Sequence, residues 1–123
     1  MKANVKTPEA KTIVQEAINN NTTIYIQEAN TTRIIAYTFY TKKLYSWSTE
    51  INVEFYNLDN EGKVEMTGKR EADNRSFNHL KEKLENEENI ISNNFDELKR
   101  MAEDVWVNEK LKHQETILLG LFA

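Results

Sequence analysis

Two runs decide how this chain folds: Arg33-Ile34-Ile35-Ala36-Tyr37-Thr38-Phe39-Tyr40-Thr41-Lys42 and Glu50-Ile51-Asn52-Val53-Glu54-Phe55-Tyr56-Asn57-Leu58. Both are rich in β-branched and aromatic residues and alternate with a period of two, the signature of strands. In the second run Ile51, Val53 and Phe55 share one face and Asn52, Glu54 and Tyr56 the other, as in a strand with one face buried and one wet. In the first, Ile34, Ala36 and Tyr40 oppose Ile35, Tyr37 and Phe39, so both faces are apolar and the strand is expected to be central or covered on both sides.

Outward from this pair, residues 23–28 and 63–70 show the same alternation, which makes four strands. Their connections predict antiparallel neighbours. Ala29-Asn30-Thr31-Thr32 is short and polar, and Asp59-Asn60-Glu61-Gly62 puts glycine where a turn needs positive φ. Ahead of the strands, Thr7-Pro8-Glu9 reads as a helix start: a hydroxyl at the N-cap, proline at the first helical position and a carboxylate in the positive first turn. Ala10, Ile13, Val14, Ala17 and Ile18 then share one face, and Asn19-Asn20-Asn21 offers residues that tolerate the left-handed conformation of a helix end.

After the strands the helical period returns. Phe77, Leu80, Leu84 and Ile91 form a thin seam bordered by Glu87 and Glu88. A last helix opens at Asn93 or Asn94 and carries Phe95, Leu98, Met101, Ala102, Val105 and Trp106 on a broad apolar arc. Beyond Trp106 the phase breaks. Val107 and Leu111 fall on the face that Arg100, Glu103 and Asp104 made polar, so a bend near Asn108 or a second partner surface is expected. The run Ile117-Leu118-Leu119-Gly120-Leu121-Phe122-Ala123 is apolar at both parities and is expected to be covered on all sides, as an added strand or a segment in a groove. The chain's own core is the first expectation for that cover; a second copy, making a homodimer, is the alternative.

The expected architecture is therefore a single α+β domain over residues 1–123: an N-terminal helix, a four-stranded antiparallel β-meander and two C-terminal helices packed on one sheet face. A compact chain of 14.4 kDa has an accessible surface of roughly 6800 Å².

Composition removes several chemistries. With no cysteine, disulfides, thiolate metal sites and thiol nucleophiles are excluded, and a reducing cytoplasmic setting is expected. No window approaches the ~18 consecutive apolar residues of a membrane span, and no leader is visible at the N-terminus. The net charge of −4 is uneven: residues 1–49 carry six Lys/Arg against three Glu, whereas 76–123 carry six against ten acidic residues. That balance disfavours nucleic-acid binding by charge alone. Asparagine is abundant, at 15 residues, and with the absence of enzyme motifs this composition suggests a phage- or mobile-element-encoded protein.

The catalytic inventory is close to empty. His79 projects away from the Phe77 seam and is expected to be a solvated surface residue; His113 has no companion at metal-ligand spacing. Glu85, Glu87, Glu88, Glu103 and Asp104 lie in solvated runs, while Glu50, Glu54 and Glu65 on strands are better placed to line a cleft. Gly62, Gly68 and Gly120 stand too far apart for a phosphate-binding loop. No catalytic residue, metal ligand or cofactor is assigned, and the protein is expected not to be an enzyme.

What remains is aromatic. Tyr25, Tyr37, Phe39, Tyr40, Tyr45, Trp47, Phe55 and Tyr56 concentrate in the mildly basic front half, next to Arg33, Lys42 and Lys43. Tyrosine, tryptophan and arginine dominate interface energies, so Arg33, Tyr37, Tyr40, Lys43, Tyr45, Trp47 and Tyr56 are expected to form a protein-binding surface, as in an inhibitor. The same residue types stack bases, which leaves a nucleic acid as the weaker alternative. A second reading, from another class, is a small-ligand or nucleotide-binding protein with its pocket between protomers, where Arg70 and Arg75 clamp a phosphate and Phe77 stacks a base.

Overall fold

A computed structural model describes residues 1–71 and 73–122. The elements follow in the order β1 (Lys2–Asn4), α1 (Pro8–Asn20), β2 (Thr23–Gln27), β3 (Ile34–Lys43), β4 (Trp47–Leu58), β5 (Val64–Arg70), α2 (Asn74–Glu85), β6 (Ile90–Ser92) and α3 (Phe95–Phe122). The expected meander β2-β3-β4-β5 is present and every pairing is antiparallel. It is extended on the β2 side, so that among the described residues the sheet has six strands in the order β1-β6-β2-β3-β4-β5.

The two additional strands correct the four-strand expectation. Each has three residues, too few for a period-two pattern to register. Ile91, expected on the α2 seam, is instead fully buried in β6 opposite Ala3 and Ile26. The chain can leave α2 early because Asn86 ends the helix in an extended conformation, and buried Asn89 then holds the turn. The Asn89 side-chain amide donates to the Lys83 carbonyl at 2.9 Å, and its oxygen accepts from the Ala29 N–H at 3.0 Å.

The helices also divide differently from the expected arrangement on one face. Ala10, Ile13 and Ala17 of α1 and Leu80 of α2 pack with Ile24, Ile26, Ile35, Tyr37, Phe39, Ile51, Val53 and Ile91 on one side of the sheet. On the other side Leu98 and Ala102 of α3 pack with Ile34 and Leu58, flanked by Tyr25, Tyr56, Ile90 and Trp106. The apolar character of both faces of β3 follows from this arrangement, since Ile34 and Ile35 serve opposite cores.

Local signals behave as their chemistry dictates. Asn21 ends α1 in the left-handed region at φ 53°, and its N–H reaches the Ala17 carbonyl. Thr7 occupies the N-cap of α1 in extended conformation, but its hydroxyl donates to the Asn4 carbonyl rather than capping the helix. Asp73 caps α2, its Oδ1 accepting from the Arg75 and Ser76 N–H groups at 2.7 and 3.2 Å. At the β4–β5 turn Asp59 Oδ1 accepts from the Glu61 and Lys63 N–H groups, which holds its carboxyl below the usual range. Gly62 follows at φ 79°, and a Cβ there would stand 3.1 Å from the Trp106 ring, so glycine lets α3 lie against the turn.

The C-terminal run corrects a further expectation. It neither adds a strand nor closes the core: α3 continues through it as one helix with no break at Asn108, and every residue from Val107 to Phe122 is exposed. Ala123 lies outside the described residues.

Candidate binding arm

The β3–β4 hairpin outgrows its neighbours. β2 pairs with β3 only as far as Thr38, and β5 pairs with β4 only from Val53. Beyond a last backbone bond from the Phe39 N–H to the Thr22 carbonyl at 3.1 Å, the two strands have, among the described residues, only each other as sheet partners out to Lys43 and Trp47. Phe39 and Ile51 still reach the core, so the ribbon is rooted in the body and projects from about Tyr40 and Glu50 outward. Its root is tied laterally by the Thr41 hydroxyl, which donates to Asn21 Oδ1 at 3.0 Å beside the end of α1.

The tip concentrates what a folded protein ordinarily hides. Leu44 is 74 % exposed, Tyr45 fully exposed and Trp47 69 % exposed. Lys43 and Trp47 are cross-strand partners, and the lysine ammonium stands 5.3 Å from the centre of the indole ring. A cation over an indole face gains on the order of 0.5–1 kcal/mol at an exposed site. It orients the ring and leaves its outer face open. On the opposite face Ser48 donates to the Lys42 carbonyl at 3.2 Å and lies 3.4 Å from a Glu50 carboxylate oxygen.

Below the arm, the part of the sheet that α3 leaves uncovered is polar. Thr38, Tyr40, Lys42, Asn52, Glu54, Lys69, Arg70 and Glu71 line a depression of about 510 Å³ in which both charge signs alternate. On the other side of the sheet, Val5, Ala10, Val14, Phe77, Leu80 and Leu84 wall an apolar groove of about 910 Å³ between α1 and α2, rimmed by Lys6, Lys11, Lys81 and Glu85.

The residues singled out in the sequence are thus dispersed. Lys43, Tyr45 and Trp47 come together at the tip, and Tyr40 lies at its base. Tyr37 leaves the expected surface altogether: it is fully buried, with its hydroxyl 2.8 Å from His79 Nδ1. Tyr56 is half-buried beneath α3, edge-on to Phe95 at 5.5 Å. Burial raises the phenol pKa of both. Arg33 stands at the far end of β3, ion-paired with Glu28 at 2.8 Å. Leu44, absent from the expected set, joins the tip as an apolar residue in a lysine-flanked turn.

The phosphate-clamp residues do not converge on one cavity. Arg70 lines the sheet-face depression, Phe77 the apolar groove, and Arg75 folds back onto Asp73 at 2.9 Å. His79 is not the solvated residue the helical phase implied. It is half-buried, edge-on to Phe55 at 5.5 Å, and its pKa is lowered by burial and by Lys83 and Arg70 nearby. Among the described residues no three His, Cys, Asp or Glu are grouped to hold a metal ion, and no helix is long and apolar enough to cross a membrane. Comparison with protein-family models, curated proteins and solved structures finds no match.

Proposed function

We propose that this chain is a non-enzymatic binding protein that seats the tip of its β3–β4 arm in a pocket of a protein partner, as an inhibitor does. The observation that carries the reading is the joint exposure of Leu44, Tyr45 and Trp47 at the end of a ribbon that serves no packing role in its own fold. Tyrosine and tryptophan are the side chains that most often dominate an interface when they are desolvated in a partner's pocket. A two-stranded ribbon keeps them preorganised, which limits the entropy lost on binding. Lys42 and Lys43 beside them favour a pocket with an acidic rim. A cysteine-free, asparagine-rich chain is in keeping with a phage- or mobile-element-encoded protein at work in the cytoplasm. A second copy of the chain belongs to the same reading as a further partner, through the exposed C-terminal segment.

The small-ligand alternative has less support, because Arg75 is ion-paired with Asp73 and the groove that Phe77 lines is lined by neither Arg70 nor Arg75. A nucleic-acid partner is disfavoured by the net charge of −4.

The test is affinity capture from host lysate with the wild-type chain and with the Tyr45→Ala/Trp47→Ala variant, followed by titration of the captured protein. A hot-spot pair predicts a loss of affinity of about 100-fold or more in the variant. Thermal unfolding should be unchanged, since neither ring is buried. Equal affinity of both forms for every captured partner refutes the arm as the binding surface.

A further inference from the structure

The projecting end of α3 carries a second unused surface, and its pattern specifies its partner. Val107, Leu111, Ile117, Leu118, Leu121 and Phe122 are all exposed, the last two at 76 % and 83 %. Val107, Leu111, Gln114, Leu118 and Leu121 follow one another at spacings of four, three, four and three, the a/d repeat of a coiled coil. This stripe is centred about 160° around the helix from Leu98 and Ala102, which face the sheet. It therefore points away from the body that α3 belongs to. The phase break after Trp106 is the changeover from one partner surface to the other.

We infer that a second copy of this chain covers the stripe, and that the two α3 ends pair side by side in parallel and in register from Val107 to Phe122. The flanking positions select this arrangement. In a parallel pair, the residue preceding an a position faces the residue five places further along the partner helix. Lys110 then meets Glu115 of the other copy, and Ile117 meets Phe122, each twice by symmetry. Among the exposed apolar residues of the segment only Leu119 is left outside the seam. An antiparallel pair would set Lys110 and Glu115 against residues of their own flank and lose both matches. Towards the body the next stripe positions are Asp104 and Arg100, which would face their own copies as like charges, so the seam opens there and the two bodies splay apart.

The size of the surface fits a reversible dimer. Sixteen residues make a seam about 24 Å long, and the exposed apolar side chains bury roughly 600 Å² per copy, about 1,200 Å² in all, at the lower edge of stable interfaces. Gln114 on the seam costs some affinity and opposes slipped registers.

This inference rests on the self-association part of the proposed function and not on the arm. Because the chain contains no cysteine, one introduced thiol reports geometry. The experiment combines sedimentation of the full chain over about 1–200 µM with oxidation of Val107→Cys, using the outward-facing Lys112→Cys as the comparison. The expected result is a monomer–dimer equilibrium, near-complete disulfide for Val107→Cys and little for Lys112→Cys. Leu111→Asp/Leu118→Asp should be monomeric across the range. Lys110→Glu should weaken the dimer about tenfold at low salt, and Lys110→Glu/Glu115→Lys should restore it. A wild-type chain that stays monomeric overturns both the pairing and self-association, and so does binding of the monomer to anionic phospholipid vesicles through this stripe. A dimer in which Val107→Cys does not crosslink, or which survives Leu111→Asp/Leu118→Asp, overturns the parallel pairing alone.

Discussion

Tyr37 and His79 show how much a single contact redefines a residue. An exposed tyrosine and a solvated histidine are each unremarkable in the sequence, but here the Tyr37 hydroxyl lies 2.8 Å from His79 Nδ1 under the α2 roof. A hydrogen bond between the phenol and the neutral ring, whichever of the two donates, contributes about 1 kcal/mol. Because burial lowers the folded-state pKa of His79 below its ordinary value, the folded state binds the proton less readily than the unfolded chain does. The stability this pair contributes is present above the unfolded pKa near 6.5 and is lost as pH falls through the lower folded pKa. Denaturant melts between pH 7 and 5 should therefore show wild-type stability declining more steeply than that of His79→Gln. Parallel curves would mean that His79 stays as accessible to protons as it is in the unfolded chain. Neither role was legible beforehand: the helical phase of His79 places it opposite Leu80, but not beneath or beyond the edge of a neighbouring strand.

At the scale of elements, legibility followed length. The strands 34–43 and 64–70 were readable to within about one residue, because each repeats its pattern several times. β4 starts three residues earlier than its alternation implied, since Trp47 and Ser48 pair with β3 while exposed and Thr49 is only half-buried. β1 and β6 were invisible, because three residues carry no period and the pairing itself decides them. The hinge that makes β6 possible is Asn89, which serves Lys83 and Ala29 at once. Asn89→Ala should cost about 2–3 kcal/mol, since it strands a buried donor and acceptor and leaves a void. Chemical unfolding measures this, and a loss within 0.5 kcal/mol, the range of ordinary surface substitutions, would show that water replaces the amide. The candidate site was partly legible: Lys43, Tyr45 and Trp47 stand together in the sequence as they do in space, whereas Tyr37 and Tyr56 turn inward at strand positions whose cover depends on α2 and α3.

For the whole molecule, the accessible surface of 8315 Å² exceeds the roughly 6800 Å² expected of a compact chain of this mass. The excess lies where the β3–β4 arm and the end of α3 leave the body, and these are also the places where large apolar side chains face water. A body that needs neither projection should not notice their loss. Truncation after Lys112 should leave the melting temperature at sub-micromolar concentration within about 2 °C of the full chain. It should also abolish any rise of melting temperature with protein concentration, because only the paired helices couple stability to mass action. A large loss at low concentration would show that the end of α3 supports its own body after all.

The sequence by itself determined the α+β class, the antiparallel meander, the extent of the first helix from Pro8 to its asparagine end and the absence of thiol chemistry, all of which rest on short-range periodicity, turn residues or composition. Tertiary structure alone decided which sheet face each helix covers, that two three-residue strands complete the sheet, and that the apolar end of α3 stays uncovered by its own chain. The physical reason is common to all three. Periodicity shows that a surface must be buried, but the partner that buries it lies far along the chain, or on another chain, and leaves no mark in the local pattern.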